Sequence, residues 1–268
     1  MDSLKGKVAI ITGGGSGFGR ATALFFAKYG AKLVIADLNL AGAVAVAGEC
    51  ITKGLGGDDV IAVEANLTNA NDRKKIIDKC INKFGRLDVL INNAGIGLFA
   101  TLVNTPPDMY DALMDLNVKA QLYMTQLAVP HLKATKGNVV NLSSIASEEA
   151  ISVCGVYGMT KAAMSMFTKT LALELARYGV RVNEVRPGVA HTNFYVAGSG
   201  NSEAERKLLA AEVITHPMGR LVQPEEVANA IAFLASDMAS YTTGNAIYVD
   251  GGRHCVGAGY AFTRKSKL

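Results

Sequence analysis

The apolar run Lys7-Val-Ala-Ile-Ile11 breaks into a glycine-rich turn, Thr12 to Gly19. Beyond it, apolar residues recur at helical spacing from near Arg20 through Ala21, Leu24, Phe25 and Ala27 to Gly30. A run this short and this uniformly apolar suits a strand buried on both faces, an arrangement that belongs to parallel sheets covered by helices on each side. Further runs of the same kind occur at about Lys32 to Asp37, Val60 to Ala65, Leu87 to Asn92, Asn138 to Ser143, Val180 to Arg186 and Ala246 to Val249, with helical patterns between them. The alternation predicts an α/β protein, a single doubly wound Rossmann-type domain with a seven-stranded, mostly parallel sheet and helices on both faces. With 268 residues, half of them apolar, the chain is long enough for one large core. No linker interrupts it, so residues 1–263 are expected to form the domain and 264–268 a short tail.

Strand, glycine turn and helix together present backbone N–H groups and a helix amino end to a pyrophosphate. The second strand ends in Asp37, at the distance where a dinucleotide fold places the carboxylate that accepts from the ribose hydroxyls. Its charge repels a 2′-phosphate, and neither Ser16 nor Leu38 offers a cation to pair with one. The expected cofactor is therefore NAD.

Tyr157 and Lys161 stand four apart at the start of a helical pattern running from Gly155 to Arg177, so they share one helix face. A phenol titrating near 10 is a poor base at neutral pH, and an adjacent ammonium favours its ionised form. Ser144 closes the strand-like run that begins at Asn138, and its hydroxyl suits holding a substrate oxygen where Tyr157 exchanges a proton. A serine at a strand end and a tyrosine and lysine on the next helix converge at the carboxyl edge of a sheet, where open α/β folds bind ligands.

These motifs resemble the short-chain dehydrogenases/reductases, in the subgroup with a T-G-x-x-x-G-x-G loop. The likeness extends over nearly the whole chain, through Asn92-Asn-Ala-Gly95, Asn117, Pro187-Gly188 with Thr192, and Asp250-Gly-Gly252. The resemblance implies a nicotinamide-dependent oxidoreductase in which Tyr157 is the acid/base and Ser144 polarises the substrate oxygen. Lys161 lowers the tyrosine pKa and binds the nicotinamide ribose, and Asn117 supports a water-linked proton path. It also implies cofactor contacts at Gly13, Ser16, Gly19, Asp37, Asn93, Val189 and Thr192. The chain departs from the pattern at Asn66, where the family commonly has an acidic residue facing the adenine amine; an amide oxygen still accepts that hydrogen bond.

A formal charge of +4 with lysines spread along the chain gives no basic stripe for nucleic acid. No apolar run reaches membrane-spanning length. Four scattered histidines form no H-x-x-x-H pair, so no metal is expected. Four cysteines without C-x-x-C spacing suit a reducing compartment, and Cys154, one turn before Tyr157, is a candidate for the substrate entrance. The chain ends in Ser266-Lys267-Leu268, a peroxisomal address read by an import receptor. Met159, Ala162, Ala163, Met166 and Phe167 give the tyrosine-bearing helix more apolar surface than one sheet contact needs, which predicts a homodimer or homotetramer.

The expected substrate is a neutral or largely apolar secondary alcohol or ketone, because no arginine cluster announces an anion. Its pocket is expected to be shaped by residues 147–153 and by a lid across 194–218, with Phe194, Tyr195, Leu208 and Leu209 as lid candidates. Two other readings stay open: a 3-hydroxyacyl-thioester or other lipid-oxidation enzyme, and a non-catalytic dinucleotide-binding protein.

Overall fold

The computed structural model describes residues 1–190 and 202–256. Seven strands form one sheet: β1 (Val8–Thr12), β2 (Lys32–Asp37), β3 (Val60–Glu64), β4 (Val89–Asn92), β5 (Asn138–Leu142), β6 (Arg181–Pro187) and β7 (Ala246–Val249). Their order is β3-β2-β1-β4-β5-β6-β7, and every pairing is parallel, where a mostly parallel sheet was expected. The chain leaves β1 for β2 on one side and returns to β4 on the other, which opens a crevice at the carboxyl ends of β1 and β4.

The uniform apolarity of the strands follows from their two-sided burial. In β1, Ala9 and Ile11 pack into one core with Phe26 of α1 (Gly17–Lys28), Val46 of α2 (Leu40–Thr52) and Ile231 of α8 (Pro224–Ala235). Val8 and Ile10 point the opposite way, toward Ile76 of α3 (Ala70–Phe84), Met124 of α5 (Gln121–Thr135) and Leu175 of α6 (Gly155–Leu175). The remaining α-helices among the described residues are α4 (Pro107–Met114) and α7 (Ser202–Val213).

Two local features of the helices bear on the site. Asn117 lies in a π-helical stretch, Asp115–Ala120, set between α4 and α5, and not in a regular helix. The helix bearing Tyr157 stops at Leu175 and tightens into a 3₁₀ turn, Ala176–Tyr178, closed by Gly179 at φ 72°. A left-handed residue at that position ends a helix at least cost when it is glycine.

Candidate active site

A cavity of about 600 Å³ runs along the carboxyl edge of the sheet, from Asp37 past Asn93 and Tyr157 to Arg253. Its first part is built largely from backbone. Gly13 and Gly17 adopt φ of 63° and 50° to turn the chain from β1 into α1. A Cβ on Gly19 would sit 2.1 Å from the Gly13 carbonyl oxygen, so nothing larger than hydrogen fits there without moving the loop. The Asn93 amide donates to the carbonyls of Thr12 and Gly13, both at 2.9 Å, and ties the loop to the end of β4. Ser16 precedes α1 without capping it through its side chain, and the first turn carries no acidic residue. The orphan N–H groups of that helix end therefore stay available for an anion, and the cradle fits a pyrophosphate.

Asp37 accepts from the Gly15 N–H at 2.8 Å and from the Asn39 N–H at 2.9 Å, while still lining the cavity. Those bonds fix the carboxylate's orientation beside the loop. Asn66 also lines the cavity, but its side-chain oxygen already accepts from the Thr68 N–H at 3.0 Å and the Thr68 hydroxyl at 2.8 Å. Both lone pairs are occupied, so an adenine amine meets that oxygen only after the threonine hydroxyl turns away.

The middle of the cavity brings Ser144, Tyr157 and Lys161 together. Strand β5 ends at Leu142, and Ser144 opens a 3₁₀ turn whose Ala146 N–H donates to the Ser144 hydroxyl at 3.1 Å. The Ser144 side chain is also hydrogen-bonded to the Tyr157 hydroxyl. The next helix starts tight against its surroundings, since a Cβ on Gly155 would meet Leu102 at 2.4 Å. One turn beyond the tyrosine, the Lys161 Nζ lies 5.6 Å from the phenol ring centre and donates to the Leu142 carbonyl at 2.8 Å.

The electrostatics differ from the simple expectation that the ammonium acidifies the phenol. Burial pushes the Tyr157 hydroxyl well above its ordinary value of 10, and the Ser144 bond is what draws it back. Burial also pulls Lys161 down to about 8, with the buried Glu184 carboxylate opposing that fall. Glu184 is 2 % exposed, accepts from the Ser165 hydroxyl at 2.9 Å and pairs with Arg186 at 2.6 Å. A free energy of desolvation this large on both partners leaves a neutral phenol beside a weakly held ammonium proton.

Asn117 is fully buried and does not line the cavity. Its amide clasps the backbone of Ile96, accepting from the N–H and donating to the carbonyl at 2.9 Å each, and reaches the Thr160 hydroxyl at 3.3 Å. A Cβ on Gly95 would come within 3.0 Å of the Asn117 oxygen and 3.9 Å of the Lys161 Nζ, so the asparagine sits behind the loop next to the lysine. Val189 lines the cavity and donates its N–H to His216 Nε2 at 3.2 Å. Thr192, Phe194, Tyr195 and the terminal Ser266, Lys267 and Leu268 lie outside the described residues, as does the side chain of Leu208; Leu209 is buried.

Sequence reasoning missed several residues that bound the far part of the cavity. Phe99, with its ring edge-on to Tyr157 at 6.3 Å, and Leu98 form an apolar wall that Ile151 and Val153, from the expected pocket segment 147–153, continue. Cys154 does line the cavity, with its thiol pushed up to about 11 by burial. Glu212 of α7 and Arg253 complete the lining. Glu212 falls within the expected 194–218 segment, but no local motif announces Arg253 or the pairing of the two, because they meet across 41 residues.

A family model described as Enoyl-(Acyl carrier protein) reductase matches residues 13–254. A cyclohexanol dehydrogenase of Acinetobacter sp. is 38% identical, over 91% of this chain and 94% of its own. Among solved structures, a short-chain dehydrogenase/reductase of unknown function from Caenorhabditis elegans, determined with cofactor, matches at a TM-score of 0.91 and 33% identity, covering 97% of this chain and 99% of its own. A 3-ketoacyl-(acyl-carrier-protein) reductase from Brucella melitensis complexed with NADH matches at 0.84 and 37% identity, covering 94% and 100%.

Proposed function

The chain belongs to the short-chain dehydrogenase/reductase family, and from that premise we propose that it is an NAD(H)-dependent oxidoreductase acting on a secondary alcohol or ketone. The observation that carries this reading is the convergence of Ser144, Tyr157 and Lys161 on the same cavity as Asp37 and the glycine loop. Gly13, Ser16 and Gly19 would hold the pyrophosphate and Asp37 the adenosine ribose, with Asn66, Asn93 and Val189 lining the same cavity. When bound, the nicotinamide supplies or accepts the hydride. NADH in the Brucella relative and the alcohol named for the Acinetobacter relative support the same choice.

Ser144 holds the substrate oxygen next to the Tyr157 hydroxyl, which gives a proton to a ketone or takes one from an alcohol. Burial keeps that phenol protonated at neutral pH, the donor form that ketone reduction requires. Alcohol oxidation needs the phenol to lose its proton, so oxidation rates are expected to rise with pH up to about 8, above which Lys161 loses the charge that supports the phenolate. Lys161 would bind the nicotinamide ribose and would lend positive charge to the phenolate, and Asn117 holds the Ile96 backbone.

The outer faces of α5 and α6 leave Tyr123, Met159, Met166 and Leu173 exposed, which supports a homodimer or homotetramer. The terminal Ser266-Lys267-Leu268 supports import into peroxisomes. Deleting Leu268 is expected to leave the protein in the cytosol.

The function is tested by following NADH absorbance with NAD or NADP against cyclic secondary alcohols, and with a 3-hydroxyacyl thioester in parallel. Turnover of the alcohols with NAD supports the proposal. Turnover of the thioester alone, or a preference for NADP, refutes it.

A further inference from the structure

Among the described residues, the substrate end of the cavity sets one charged cluster against a largely apolar wall. Arg253 donates through Nη1 to Glu212 at 2.8 Å and through Nε to Glu149 at 3.3 Å. Glu149 belongs to the loop after Ser144, Glu212 to α7, and Arg253 to the turn after Gly251 and Gly252, whose φ values of 58° and 85° swing the chain back to the cavity. The three elements are remote in sequence and are joined here by a single guanidinium.

Position and charge balance restrict what this cluster can recognise. Glu212 and Arg253 both face the cavity, and the Glu212 charge is felt at the thiol of Cys154, one turn before Tyr157. One guanidinium meets two carboxylates. Among the described residues, Asp250, whose charge also reaches Glu149, is paired with His254 at 2.7 Å, and the two add no spare cation. The local charge excess among the described residues is therefore negative, which disfavours an incoming carboxylate or phosphate. The side-by-side guanidinium and carboxylate instead offer one donor and one acceptor to the same small neutral group. A hydroxyl satisfies both, because it accepts from Arg253 while donating to Glu212.

We propose that Glu212 and Arg253 form a second polar anchor, so that the substrate is an apolar-bodied diol or hydroxyketone whose remote hydroxyl docks on this pair while its reacting carbon lies at Tyr157. Leu98, Phe99, Ile151 and Val153 cover the hydrocarbon between the two ends. The inference rests on the alcohol/ketone reading above and names its substrate class.

The test compares cyclohexanol with the 1,2-, 1,3- and 1,4-cyclohexanediols, a fused-ring mono-ol and its diol, and 4-hydroxycyclohexanecarboxylate. Binding is measured by calorimetric titration onto the NADH-loaded protein, alongside KM where NAD is reduced. At least one diol is expected to bind tenfold or more tightly than its mono-ol, with the hydroxy acid weakest. In Arg253→Met and Glu212→Gln, the ratio of diol to mono-ol affinity is expected to fall to near one. Should Arg253→Met fail to fold, Glu212→Gln reads the same ratio. Equal affinities for diols and mono-ols, tighter binding of the hydroxy acid, or variants that weaken both alcohols equally would each overturn the anchor. Absence of NADH formation with every alcohol would defeat the functional proposal itself, while the titrations would still decide whether the anchor selects diols.

Discussion

At the end of the cavity bounded by Gly13, Ser16 and Asp37 the working surface is largely backbone, held by residues within one βαβ unit and by Asn93 from the next strand. At the other end, bounded by Cys154, Glu212 and Arg253, it is made of side chains that contact each other across 41 and 104 residues. The first end leaves little freedom to substitution, since its shape depends on where Cβ atoms are missing. The second can be rewritten by exchanging side chains without disturbing the sheet. Cofactor recognition is thus fixed by local geometry, and substrate choice by long-range pairing. Edits at one end are expected to leave the property of the other intact.

Lys161, at the junction of the two ends, carries the largest expected effect. Lys161→Met is expected to lower kcat/KM by roughly a hundredfold to ten-thousandfold, the range typical of losing acid–base support. The same change is expected to stabilise the fold. Lys161 titrates at about 8 in the folded protein against an ordinary 10.5, a penalty at neutral pH of about 3 kcal/mol. A base whose folded pKa is depressed binds fewer protons folded than unfolded, so its contribution to stability grows as pH rises from about 8 to about 10.5. The substitution removes that penalty but leaves the Leu142 carbonyl without its donor, at a cost of about 1 kcal/mol. Urea melts are expected to show a more stable variant at pH 7, and a wild type that gains on it above pH 8. Equal stabilities across that window would show that the lysine carries no such penalty.

Gly19→Val tests whether the first end is as unforgiving as its geometry requires. The added side chain collides with the Gly13 carbonyl, and the expected loss is about 1–3 kcal/mol of stability with roughly hundredfold weaker NAD binding by fluorescence titration. The relative affinities of the mono-ols and diols are expected to persist. A shift in that selectivity would erase the proposed independence of the two ends.

Asp37→Ala gives a smaller effect, confined to cofactor choice. Removing a carboxylate that accepts charge-assisted hydrogen bonds and repels a 2′-phosphate is expected to shift the NAD to NADP affinity ratio by about tenfold to a hundredfold. Unchanged discrimination would mean that the carboxylate serves only to brace the Gly15 and Asn39 backbone.

What the sequence disclosed follows the same division. Strands β2 and β7 begin and end at the expected residues and β1 lies within one residue of its expected run, because two-sided burial writes an unbroken apolar run between polar or glycine boundaries. Ser144, Tyr157 and Lys161 meet as expected, since one strand end and one helix face suffice to bring them together. The π-helical setting of Asn117 left no trace, as no glycine or proline marks residues 115–120. The Asn66 oxygen is taken by a threonine two positions on, a local turn that residue-by-residue matching overlooks. The Glu149–Arg253–Glu212 cluster was invisible because no spacing rule links residues so far apart. The unfavourable burial of Lys161 was equally hidden, for desolvation is a property of the folded surroundings.

The most direct test of the account is Tyr157→Phe, which keeps the ring and removes only the hydroxyl that moves the proton. With an alcohol that the wild type oxidises, the variant is expected to bind NADH with wild-type affinity and to form NADH at least a hundredfold more slowly. Turnover within tenfold of wild type, with cofactor binding intact, would contradict the assignment of the phenol as the acid/base.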